Sequence, residues 1–233
     1  MKQFFAERKL PFSWQRIGFV VGIVFVTLVL LMGIFVSGVY WYNDKVLPGV
    51  HIGEIAVGGM KKEELRSFIE SMNDKFVGEG VPITFVTQGE NKQFVFYPVR
   101  VDEGITVERV QLDVDADVSE LMRYGKSGDM LDRVMQLVGA IVRPARRSLS
   151  SVQVDSEGII REVTEYVHAY ELPPRDATLL IRSLSPLRYE ITTSSPGTLF
   201  AYDRVPEELR DSWAKLQLPR LTLASTVAPP AVT

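Results

Sequence analysis

The sequence predicts one membrane-spanning helix followed by a mixed α+β module, and three observations carry that reading. Residues 17–42 contain no charged side chain. Beyond them, apolar residues recur at spacings of three and four in some stretches and alternate in others. The two patterns are intermixed along the chain, which points to α+β and not to a doubly wound parallel sheet.

At a rise of 1.5 Å per residue, about 25 helical residues cross the roughly 30 Å hydrocarbon core of a bilayer. Lys2, Arg8, Lys9 and Arg16 precede the apolar run against the single acid Glu7, and Asn43, Asp44 and Lys45 follow it. That excess of basic residues keeps the first end in the cytoplasm. It divides the chain into a cytoplasmic tail (1–16), a transmembrane anchor (17–42) and an extracytoplasmic remainder. Trp14 at one end and Tyr40, Trp41 and Tyr42 at the other stand where an aromatic belt would sit. A cleaved signal peptide would have an apolar region of about 7–15 residues and a small-x-small cleavage site. Here the run is longer, and the weak site Val36-Ser37-Gly38 is followed by bulky aromatics. A buried core helix is the lesser reading, because nothing interrupts the run on any face. Gly18 and Gly22, four residues apart, would permit close packing of two such helices in a homodimer.

The exterior opens with VLPGVHIGEIAVGGM, which reads as a strand with a glycine bend. KKEELRSFIESMNDKF follows, with Leu65, Phe68, Ile69, Met72 and Phe76 on one helical face and Glu63 and Glu64 in its first turn. VPITFVTQ and KQFVFYPVRV predict a hairpin joined by Gly89-Glu90-Asn91. The pattern from Ile105 to Asp129 is ambiguous, and GDMLDRVMQLVGAIV is a helix ended by Arg143-Pro144. After the strand LSSVQVD, Asp155 or Ser156 caps a helix whose stripe is Ile159, Ile160, Val163, Tyr166, Val167 and Tyr170. Leu172-Pro173-Pro174 stops it. DATLLIRSL and RYEITTS are strands around Ser185-Pro186, Pro206 opens a short helix, and RLTLASTV is a last strand. The module therefore spans 43–223, and 224–233, ending APPAVT, reads as a Pro-rich linker or truncated end.

Charge and composition narrow the function classes. Of 26 Lys and Arg and 29 Asp and Glu, the tail holds four and one, which leaves 22 against 28, a net −6, outside. An acidic exterior argues against nucleic acid as a partner. The chain has no cysteine, which removes disulfide staples, thiol catalysis and thiolate metal sites.

The segment Pro48 to Met60 with the following KKEEL resembles the opening of the exported region of VanW-like proteins and of some membrane-anchored L,D-transpeptidases. Three further marks occur in order: Tyr124-Gly125-Lys126-Ser127-Gly128, Pro173 to Thr178, and Ser195-Pro196-Gly197 before Tyr202-Asp203. The resemblance covers about residues 46–233 and implies a peptidoglycan-binding domain, hence a cell-wall polymer and the lipid bilayer as partners. The sequence departs from the family at Lys61, where a capping Thr is usual, at Ala56 and Leu65, and at Lys126, where Arg would offer a bidentate fork. The cysteine nucleophile of the transpeptidases is absent, as is a VanW-type C-terminal domain. One alternative is that the chain is the N-terminal part of such an enzyme, with its active domain beyond Thr233. Another is a tethered structural or sensory module without glycan affinity.

No other motif demands an enzyme or a cofactor. Asp113, Asp115 and Asp117 alternate as in half a calcium loop, but Val118 and Tyr124 occupy the positions that need Gly and Glu. A solvated polar edge is the reading of that run. Gly125-Lys126-Ser127 lacks the earlier glycine of a phosphate loop, and His51 and His168 lack the spacing of a zinc site. Sugar binding would use ring faces, for which Tyr97, Tyr124, Tyr166, Tyr170, Tyr202 and Trp213 are the candidates. Tyr124 with Arg123 and Lys126 is the first choice of ligand site, and Arg175 with Asp176 the second.

Overall fold

The computed structural model describes residues 14–87, 89–102, 104–185 and 187–232. Lys2, Arg8 and Lys9 of the basic tail, Pro186 and Thr233 lie outside the described residues. Helix α1 (Trp14–Trp41) is long and apolar enough to cross a membrane, and its residues 18–34 touch nothing that buries them. At Gly18 and Gly22 no atom of the chain comes within 4 Å of where a Cβ would stand.

After α1 come β1 (Val50–Ile52), β2 (Ile55–Ala56), α2 (Lys62–Glu79), β3 (Val81–Thr87), β4 (Glu90–Phe96), β5 (Val99–Asp102), β6 (Ile105–Glu108) and β7 (Val110–Gln111). Then follow α3 (Val114–Arg123), α4 (Met130–Val142), β8 (Ala145–Arg147), β9 (Gln153–Val154) and α5 (Ser156–Val167), which a 3-10 turn extends over His168–Tyr170. The chain closes with β10 (Thr178–Leu184), β11 (Leu187–Thr192), β12 (Gly197–Ala201), α6 (Val205–Ala214) and β13 (Leu221–Ala228). The architecture is mixed α+β, built on several small sheets.

The largest sheet has the order β12-β13-β3-β4, with β13 parallel to β3 and the outer pairs antiparallel. Its inner side chains Ile83, Phe85, Leu221 and Leu223 are buried with Leu65, Ile69 and Phe76 of α2. Trp213 of α6 is fully enclosed. It meets the Phe76 ring edge-on at 5.1 Å and donates its indole N–H to Asn73 at 3.0 Å. That bond removes the penalty of burying an unpaired donor in the middle of the core.

Several readings are corrected by the pairing. The opening segment is a tight hairpin and not one bent strand, because Gly53, at φ 57°, lets the chain reverse and pair Ile52 with Ile55. In the β3–β4 hairpin Thr87 pairs with Glu90 and Val86 with Asn91, so Glu90 and Asn91 are already in the strand and not in its turn. The second strand ends at Phe96. Pro98 has no N–H for a ladder, and β5 leaves to pair with β6. With Lys61 unable to accept a bond, α2 is capped from the other side, as the Lys61 N–H donates to Glu64 at 2.9 Å.

The polar edge at Asp113–Asp117 is also corrected. Asp113 caps α3 by accepting from Ala116 N–H at 3.0 Å, and Asp115 pairs with Arg66 at 3.1 Å. Asp117 is 1% exposed and accepts from the main-chain N–H of Ser150 (2.8 Å) and Ser151 (3.2 Å) and from the Ser151 hydroxyl, while the Ser150 hydroxyl donates to Glu120 at 2.5 Å. A carboxylate can be buried there because three donors replace its water.

Candidate ligand cleft

Strand β4 forms the outer edge of the main sheet, and α5 crosses beside it. Between them opens a cleft of about 570 Å³, walled by Phe94, Tyr97, Val99 and Arg100 on one side and by Glu162, Glu165, Tyr166, Ala169 and Tyr170 on the other. Residues 162, 165, 166, 169 and 170 recur at the three-and-four spacing that sets one face of a helix. A space of this size matches the range of small-ligand sites.

The aromatic rings are held from behind. Tyr166 lies flat on Phe94, with centroids 4.7 Å apart and planes 4° from parallel, and Tyr170 leans on Phe85 at 5.2 Å. Their outer parts stay open: Tyr166 is 61%, Tyr97 48% and Tyr170 41% exposed. Rings fixed by packing yet open to solvent lose little side-chain freedom when a ligand stacks on them.

Charge at one end of the cleft is set by a chain of ion pairs. The largely buried Glu162 carboxylate lies 3.4 Å from Arg100 Nε and 3.5 Å from Arg109 Nη2, and Arg109 Nη1 donates to Asp155. Asp155 is also the cap of α5, accepting from Gly158 N–H at 3.0 Å. That backbone bond first, and the Arg109 guanidinium with it, hold the Asp155 carboxyl below its ordinary value of 3.8. The chemistry on offer is stacking by tyrosine faces, with Glu165 and the Arg100–Glu162 pair as polar partners. Among the described residues no three His, Cys, Asp or Glu side chains group as a metal site.

The structure brings together Tyr97, Tyr166 and Tyr170 and separates the other ring candidates from them. Trp213 is in the core, and Tyr202 packs against it. Tyr124 lies under the Arg147 guanidinium, 4.0 Å from its ring centre. Lys126 donates from Nζ to the main-chain carbonyl of Asn43 at 2.9 Å, and the Arg123 carbonyl accepts the Lys126 N–H at 3.2 Å. The recess at Lys126 and Gly125 holds only about 10 Å³, room for a water and not for a sugar ring. Arg175 exchanges two main-chain bonds of 2.9 Å with Ser195, at the base of the β10–β11 hairpin. Asp176 accepts there from the N–H groups of Ala231 (2.6 Å) and Val232 (3.1 Å). Sequence reasoning missed Phe94, Arg100, Glu162 and Glu165. The signal available was the Glu162–Tyr166–Tyr170 row on α5, whose spacing of four puts all three on one side.

Comparison with protein families, with curated proteins and with solved structures found no match.

Proposed function

We propose that the protein is a single-pass membrane protein, N-terminus inside, whose exterior module binds cell-wall peptidoglycan through the β4–α5 cleft without catalysing a reaction on it. The observation that carries the reading is the convergence of three exposed tyrosines, two of them packed from behind on Phe94 and Phe85, in one ligand-sized space. The length and apolarity of α1, the basic residues before it and the resemblance of residues 48–60 to VanW-like proteins support the same conclusion. Stacking tyrosines suit the apolar faces of sugar rings, and the mixed charge suits neutral or zwitterionic polymer better than a polyanion. The same resemblance supports a second reading, in which this module delivers a wall-modifying catalytic domain to the polymer.

The test is co-sedimentation of the full chain, in mild detergent, with purified cell-wall sacculi across a salt series. Saturable pelleting that survives moderate salt supports a specific site. Protein left in the supernatant, or pelleting lost with salt, overturns it.

A further inference from the structure

The β10–β11 hairpin is an amphipathic ribbon whose apolar face is left uncovered. Pairing sets Leu179 opposite Ile191, Ile181 opposite Tyr189 and Leu184 opposite Leu187. Simple alternation would put Leu184 on the other face from Ile181, but the register shifts between Ile181 and Ser183. One extra residue in a strand reverses the sidedness of everything after it. The bulge therefore returns Leu184 to the face of Leu179 and Ile181, so all six large apolar side chains share one side. No charge interrupts them. They are 56–81% exposed, Leu184 most of all.

The opposite face carries Leu180, 45% exposed, among polar side chains that pair with one another. Thr178 and Thr192 join hydroxyls at 2.5 Å, and Arg182 pairs with Glu190 at 2.8 Å. A lone two-stranded ribbon is marginal in water and needs a covering layer on its apolar side. The six side chains offer on the order of 600 Å² of apolar surface, close to the ~800 Å² per partner of a standard specific interface. With no charge on it, the face can meet the same face of a second copy without repulsion, as an isologous contact requires. The apolar residues run from the base of the ribbon to its tip, so a face needs covering and not a tip alone.

We infer that this face is the interface between two copies of the chain, ribbon packed on ribbon. It is separate from any packing of α1 at Gly18 and Gly22, and it does not depend on what the cleft binds.

The absence of cysteine makes the test clean. The full chain is returned to phosphatidylcholine vesicles as Tyr189→Cys, on the apolar face, or Leu180→Cys, on the opposite face, and oxidised. The inference expects covalent dimer from Tyr189→Cys at least about fivefold above Leu180→Cys. Adding Ile181→Arg and Ile191→Arg should abolish it, and adding Gly18→Leu and Gly22→Leu should not. The substituted hairpin positions are exposed, and circular dichroism checks that each variant stays folded. Equal cross-linking at both faces, or none, overturns the inference, as does cross-linking lost on changing Gly18 and Gly22 alone. A fluorophore at Leu184→Cys that is quenched by nitroxide lipid, without cross-linking at Tyr189→Cys, would instead give the face to the bilayer.

Discussion

Lys126 clasps the end of the apolar helix: its ammonium donates at 2.9 Å to the main-chain carbonyl of Asn43, two residues past Trp41. Helix α4 packs along the last turns of the same helix, and Leu137 lies against Gly38. The module thus holds the exit of α1 in a fixed direction through its own turn at residues 124–128. A charge-assisted bond here does mechanical work at a joint.

Burial lowers the Lys126 ammonium below its ordinary 10.5, with Asp44 partly countering. A base with a lowered folded value binds fewer protons folded than unfolded between that value and 10.5, so stability rises with pH through that window. Lys126→Met should remove this rise. It should also speed hydrogen exchange at the Asn43 and Lys45 amides about tenfold, the equivalent of one charge-assisted bond of roughly 1.4 kcal/mol.

Asp117→Ala empties a buried position and takes away the acceptor of the Ser150 and Ser151 N–H groups. The expected loss is about 3 kcal/mol in denaturant unfolding. Asp115→Ala, which removes only an exposed pair with Arg66, should change stability by less than about 1 kcal/mol.

Asp155 couples the start of α5 to the ion pairs beside the cleft. Asp155→Ala removes the cap and should cost about 1 kcal/mol. Because the folded carboxyl titrates below 3.8, its contribution is present above that pH and is lost as pH falls through the lower folded value. Acid unfolding of Asp155→Asn should show a shallower pH dependence in that window than the unsubstituted chain.

Gly49 and Gly59 give a matched pair for backbone strain. Both have positive φ, 77° and 89°. A Cβ on Gly49 would run into the Ala140 carbonyl at the end of α4, whereas at Gly59 it would meet open space. Gly49→Ala should therefore cost about 3 kcal/mol or more, and Gly59→Ala only the left-handed backbone term of about 1 kcal/mol. Parallel denaturant curves measure both.

What was legible in the sequence was local. Helix α2 buries Leu65, Ile69 and Phe76 as its spacing predicts, and α5 buries Ile159, Val163 and Val167. The same stripe misled at Tyr166 and Tyr170, because a three-and-four row is wider than the contact its helix makes. Which end of the row is left bare depends on where β4 arrives, and that strand is set by pairing with β3. Val110 pairs with Val154 across 44 residues, and no local pattern shows such a partner. Tyr124 and Lys126 stood out in the sequence as a flexible, charged turn, and that turn is occupied by the exit of α1 and by Arg147. The segments DATLLIRSL and RYEITTS read only as strands, since alternation reports two faces without reporting whether either is covered.

The most direct measurement is calorimetric titration of the full chain with a soluble disaccharide-peptide fragment of peptidoglycan, beside Tyr166→Ala and Tyr97→Ala. The account predicts saturable binding by the unsubstituted chain and a loss of at least about tenfold, roughly 1.4 kcal/mol, in each variant. Tyr124→Ala should bind as the unsubstituted chain does. Absence of binding by the unsubstituted chain, or affinity that Tyr166→Ala and Tyr97→Ala leave unchanged, would contradict it.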